Sequence, residues 1–196
     1  MKFKKILALM CSMAIGMSCL TACGKSDDKK KTEGKEEMGP VVLNSENVKL
    51  VGRTHLIDDV LWLAFSGTGA EFVYEGKKLD ITFVGDNASL GGADNQARVA
   101  VYVDGERVVD EMINDVEKTF TAFENAEAKK VNVQIIKLSE TAMSTVGVKP
   151  IAVADGEKIT PAESKAHKIE FVGDSITCGY GVDDEVKEHH FSTTTE

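Results

Sequence analysis

The chain opens on an apolar run, crosses a segment almost without large apolar side chains, and then alternates. Ile6 to Leu20 is the apolar run, fifteen residues long, behind Lys2, Lys4 and Lys5. Residues 24–39, GKSDDKKKTEGKEEMG, hold Met38 as their one large apolar side chain. From Val41 to about Thr160 apolar positions recur in the two-residue period of strands. The runs are LWLAF (61–65), AEFVY (70–74), LDITFV (79–84), RVAVYV (98–103), ERVVDEMI (106–113) and KVNVQIIKL (130–138). Val99, Val101 and Val103 alternate with Arg98, Ala100 and Tyr102, so one face of that strand is uniformly apolar. Asp104-Gly105 between two such runs predicts a hairpin, because a type I′ turn needs positive φ at both central positions. No helical period of useful length interrupts the region. Many short antiparallel strands predict a mainly β domain over residues 40–160, a jelly-roll β-sandwich.

The pattern changes again near the end. Residues 155–167, DGEKITPAESKAH, form a polar connector with Pro161. KIEFVG (168–173) then reads as a buried strand and DSITCGYG (174–181) as a turn into a helix. A strand feeding a helix predicts a new α/β domain starting near Ala166, of which residues 166–196 are the beginning.

Charge and composition narrow the partners. The formal charge is −9, with 42% hydrophobic and 28% charged residues. That is a globular composition, and its sign argues against nucleic acid, whose phosphates require clustered Lys and Arg. The N-terminal run is too short for a membrane-spanning helix of roughly 20 residues, and its basic flank reads as a signal peptide over residues 1–22. Leu20-Thr21-Ala22-Cys23 resembles the lipobox of bacterial lipoproteins, in which the cysteine is acylated before cleavage; several acyl chains give a stable anchor. The alternative is plain secretion with cleavage near Ala22. Removing residues 1–22 takes three lysines from −9 and leaves −12. It also removes Cys11 and Cys19; with Cys23 acylated, Cys178 is the remaining thiol and no disulfide can form. Residues 23–39 then read as a charged tether, unable to bury enough surface to offset ordering. The expected location is the extracellular face of the bacterial membrane, held there by the lipid at Cys23.

Ser175 is the residue with chemistry to offer. A serine at the end of a strand leading into a helix is exposed and rigid, and lies beside unpaired N–H groups that can stabilise an oxyanion. Gly173-Asp174-Ser175 is not the G-x-S-x-G elbow, since its glycine lies two positions back and Thr177 stands two ahead. The same residues have a second reading, because Asp174 and Ser175 are both favoured helix N-caps. A serine also needs a base within about 3 Å. His189 and His190 lie in an acidic loop with Asp183, Asp184, Glu185 and Glu188 and read as solvated; His55 falls in the β region and His167 in the connector. Neither His55 nor His167 has metal-ligand spacing to another His or Cys, so no metal site is expected, and the chain is expected to use no cofactor. Cys178 has no basic neighbour to activate it and reads as packing. Tyr180 either walls a cleft or packs a helix turn. Trp62, alternating with apolar neighbours, reads as core ahead of the alternative, a sugar-stacking platform.

FVGDSITCGYG (171–181) resembles the first block of the GDSL, or SGNH, hydrolases, and its long form resembles carbohydrate esterase family 2. GRTHLIDDVLWLAFSGTGAEF (52–72), RVAVYVDGERVV (98–109), KLSETAMSTVGV (137–148) and FSTTTE (191–196) add to the likeness. The resemblance implies a jelly roll followed by an SGNH domain, broken off early in the latter. It implies hydrolysis of acetyl esters on plant polysaccharides such as xylan or glucomannan, without a metal. Ser175 then matches the nucleophile, its backbone N–H one oxyanion donor, and Asp174 the acid that orders the turn after Gly173. The family's histidine base and its other oxyanion donors come from later blocks that are absent here, so the 196-residue chain is expected to be inactive alone. The alternatives are a carbohydrate-binding sandwich without catalysis and a lipoprotein that binds another protein.

Overall fold

The computed structural model describes residues 39–92, 95–139, 144–167, 169, 171–174, 176 and 177. Among them are the strands β1 Lys49–Val51, β2 Thr54–Ile57, β3 Val60–Leu63, β4 Gly69–Gly85, β5 Ala97–Val103, β6 Glu106–Ile113, β7 Glu117–Lys137, β8 Val146–Val148 and β9 Lys158–Pro161. One 3-10 turn, Asn87–Leu90, is the described helical element, capped by Asp86. The fold is mainly β and antiparallel throughout, as the alternation predicts.

The sandwich is built from one continuous sheet, ordered β2-β3-β8-β4-β7-β5-β6, with β1 and β9 added to β4. Two strands make this possible. β4 runs 17 residues and β7 runs 21, against the roughly 5–6 of an ordinary strand. They pair from Gly69↔Ile136 to Val84↔Glu117, with interruptions near Lys77 and Ala122. The other edge of β4 takes three short strands in series: β1 opposite residues 69–71, β9 opposite 72–75, β8 opposite 83–85. β5 joins only the last part of β7 and carries β6 outside it. Leu61 and Leu63 from one end of the order and Val99, Val101 and Ile113 from the other share one buried core.

A bulge lets β4 serve both ends. Register slips occur between Gly76 and Lys78 and between Leu79 and Asp80. Phe72 and Tyr74 are buried before the first slip, and Leu79, Ile81 and Phe83 after it, so the inward parity switches from even to odd. The extra residues lie on β7, where 125–128 stand opposite Lys77 alone and the register skips Ala122. Such an irregularity bends the pair while each strand keeps its apolar side on the core. Its backbone polar groups are satisfied by side chains. The Tyr74 hydroxyl donates to the Lys78 carbonyl at 2.7 Å and accepts from the Lys78 N–H at 3.2 Å. Glu157 accepts from the N–H groups of Lys77 at 2.9 Å and Ala154 at 3.0 Å. Burial, reinforced by Glu157, pushes the Tyr74 hydroxyl far above the phenol range. Burial pushes the Glu157 carboxyl up, but the N–H donors of Lys77 and Ala154 and the Tyr74 hydroxyl outweigh it and hold it below the carboxylate range.

Two hairpin turns use positive φ. Asp104 and Gly105 have φ of 49° and 85°, the predicted pair. Asp58 and Asp59, joining β2 to β3, have 49° and 63° without a glycine.

The β5–β6 hairpin is tied by Asp110, whose carboxylate takes Arg98 Nε at 2.7 Å, Arg98 Nη2 at 2.9 Å and Arg107 Nη1 at 3.0 Å. The Arg98 hydrogen bond holds the Asp110 carboxyl below its ordinary range. Its stabilising contribution is therefore complete above the unfolded value near 3.9 and is lost as pH falls through the lower folded value. Asp110→Asn is expected to cost about 1–2 kcal/mol at pH 7. Urea titrations at pH 7 and pH 2 check this. The gap between the two proteins should close in acid, and a gap unchanged at pH 2 rules out the ionic origin.

Candidate functional site

Beyond β9 the chain leaves the sheet. Ala162 N–H still reaches the Glu71 carbonyl at 3.4 Å. The run predicted as a buried strand does not form one in its described part: Ile169, Phe171 and Val172 are 79%, 81% and 92% exposed and pair with no strand. An extended apolar run takes its strand geometry from neighbouring strands, and none lies beside it among the described residues.

The turn that follows is formed locally. Asp174 Oδ1 accepts from Ile176 N–H at 3.0 Å and Thr177 N–H at 3.4 Å, and its carbonyl accepts from Thr177 N–H at 3.0 Å. This side-chain-to-backbone closure is what a short acidic residue provides at the start of a helical turn. A Cβ on Gly173 would stand 2.1 Å from Thr177 Oγ1, so only glycine lets the turn close in this form. Ser175, Cys178, Tyr180, His189, His190 and Cys23 lie outside the described residues. His55 is exposed on β2 opposite Trp62, and His167 is exposed in the connector.

Trp62 corrects the expectation of a core residue. It is half-buried on the outer face of β3, while its neighbours Leu61 and Leu63 point inward. Its cross-strand partners are His55 and Gly147. Alternation places every second residue outside, and Trp62 holds the outer parity.

A cleft of about 480 Å³ lies over the outer face of β4, β7 and β5. Its floor carries Glu71, Gln134 and Tyr102, which the register places directly opposite one another on three adjacent strands. Asn132 and Lys130 extend the floor along β7, and Glu163 and Lys165 wall it from the segment after β9. Glu71 is already paired with Lys49 and accepts Gln134 Nε2 at 3.0 Å. Asp104 accepts Asn132 N–H at 2.9 Å and Nδ2 at 3.0 Å, and the backbone bond foremost lowers the Asp104 carboxyl below its usual range. Lys130 and Lys165 have no ion pair among the described residues. Alternation marks Tyr102, Asn132 and Gln134 as outward residues, but only the strand register brings them together. Among the described residues no three His, Cys, Asp or Glu side chains converge as a metal site would require.

The family described as Carbohydrate esterase 2 N-terminal matches residues 50–163. The cellulase/esterase CelE of Acetivibrio thermocellus is 25% identical over 131 residues, 65% of this chain and 16% of that protein. The acetylxylan esterase / glucomannan deacetylase of Cellvibrio japonicus is 22% identical over 144 residues, 73% of this chain and 38% of that protein. Among solved structures, a family two carbohydrate esterase from Cellvibrio japonicus superposes with a TM-score of 0.67 at 20% identity, covering 80% of this chain and 45% of that one. The chain thus spans well under half the length of the curated relatives it matches.

Proposed function

Since this chain belongs to the Carbohydrate esterase 2 N-terminal family, we propose that it is the N-terminal part of a serine esterase that removes acetyl groups from plant cell-wall polysaccharide. The observation that carries the reading is the Asp174 turn directly downstream of the family's domain, closed by the carboxylate of Asp174 itself. In this reading Ser175 Oγ attacks the acetyl carbonyl carbon, and its proton passes to a base supplied by a later part of the protein. The tetrahedral oxyanion collapses, the sugar hydroxyl leaves with that proton, and water hydrolyses the acetyl-enzyme. Asp174 orders the turn and takes no part in proton transfer. Cys23 carries the lipid that holds the protein on the outer face of the cell membrane, with residues 24–39 as a tether.

Acetate release from acetylated xylan tests the proposal. The chain continued through a complete hydrolase domain should be active, and Ser175→Ala should lower its kcat by roughly 10³-fold or more. The 196-residue chain alone should release no acetate, because a serine without its base and oxyanion donors retains only positioning. Acetate release that survives Ser175→Ala defeats the assignment. Mass spectrometry of the membrane fraction tests the anchor: a diacylglyceryl adduct on Cys23 supports it, and a soluble mature chain beginning at Cys23 without lipid refutes it.

A further inference from the structure

We infer that the cleft beneath residues 162–165 is a binding site for a segment of neutral sugar chain, which does not rest on the esterase reading. Three features of its side chains carry this. The first is Tyr102, an aromatic surface on the floor beside Gln134 on the neighbouring strand. Sugar rings present apolar C–H faces that pack on such a surface, and a tyrosine brings its own hydroxyl as a polar handle. Strands about 4.8 Å apart make the floor nearly flat over this distance, which suits a ring laid on it.

The second is that the two floor amides are oriented in advance. Gln134 Nε2 is committed to Glu71 at 3.0 Å and Asn132 Nδ2 to Asp104 at 3.0 Å. Each carboxylate can only accept, so each amide must present its nitrogen there and turn its oxygen elsewhere. Neither amide oxygen has a partner among the described residues. The result is a pair of fixed acceptors for sugar hydroxyls, formed without further ordering when a ligand arrives. The ammonium groups of Lys130 and Lys165 supply donors, and the Glu163 carboxylate supplies another acceptor.

The third is the charge balance, which selects a neutral ligand. The charged residues that line the cleft are two carboxylates, Glu71 and Glu163, and two ammonium groups, Lys130 and Lys165. The two signs cancel. An anionic polymer would meet both of those carboxylates, and a cationic one both lysines.

Calorimetric titration of the 196-residue chain with xylohexaose, cellohexaose and oligogalacturonate tests the inference. One of the neutral hexasaccharides should bind, with an affinity that changes less than about twofold between about 50 and 500 mM NaCl, since hydrogen bonds and stacking are little screened. Tyr102→Ala should weaken binding roughly tenfold or more and Tyr102→Phe much less; Gln134→Ala should also weaken it roughly tenfold. Ser175→Ala should leave it unchanged, which separates this site from the esterase reading. Thermal midpoints of the variants within a few degrees of the parent exclude unfolding as the cause. Absence of binding to both neutral probes overturns the inference, as does preference for oligogalacturonate, loss of binding in salt, or binding indifferent to Tyr102→Ala.

Discussion

Gly69→Ala is expected to destabilise the domain by about 3 kcal/mol or more, a large part of the roughly 5–15 kcal/mol that holds a domain folded. A Cβ at this position would lie 1.8 Å from the Ile135 carbonyl oxygen and 2.8 Å from its carbonyl carbon. Both obstacles are backbone, so no rotamer change relieves them. Nor can either strand slide away. Ile135 is buried in the core, and hydrogen bonds from Gly67 N–H to the Lys137 carbonyl at 2.8 Å and from Lys137 N–H to the Thr68 carbonyl at 2.9 Å clamp the same stretch. Relief would require parting the start of β4 from β7. Urea unfolding followed by the fluorescence of Trp62 checks this, with Gly92→Ala as control because a Cβ there meets nothing within 4 Å. A Gly69→Ala midpoint indistinguishable from that of the parent would contradict the close approach.

Phe72→Ala and Phe83→Ala are each expected to cost about 3–5 kcal/mol, the usual range for deleting a buried phenyl ring. Both rings are fully buried, on opposite sides of the register slips along β4. Their comparison tests whether the long sheet encloses one core. If it does, either variant shifts a single cooperative transition for the whole domain and leaves the denaturant slope unchanged. Two separate transitions in Phe83→Ala, with the half around Phe72 melting at its parental midpoint, would show that the ends of the sheet fold independently.

The sheet's continuity is the part of the fold that the chain's pattern conceals. AEFVY and LDITFV read as two strands because Glu75 to Lys78 is polar, and polar residues between apolar runs normally mean a loop. Here they stay in β4 opposite the extra residues of β7, and Tyr74 and Glu157 supply hydrogen bonds that the ladder omits. The first half of β7 is hidden for a similar reason. Its residues Glu117 to Glu124 are mostly exposed or half-buried and present little apolar signal, yet β4 pairs with most of them one by one. The β2–β3 turn carries no signal of its own, because Asp58-Asp59 lacks the glycine that marks such turns.

At the candidate site the division is between local and distant causes. Asp104-Gly105, the apolar face of Val99 and Val101, and an acidic residue able to close its own turn at 174–177 all depend on residues a few positions apart. The sequence alone is enough to predict them, because the competing conformations differ in backbone sterics and short-range hydrogen bonds. Which face Trp62 occupies, how β4 and β7 run together past their polar centres, and why Tyr102, Gln134 and Glu71 stand in one row depend on strand register. Register is settled by burial summed over the whole sheet, and a slip of one residue would invert every face. That sum exists only once the chain is folded, so the cleft and its neighbours belong to the tertiary structure.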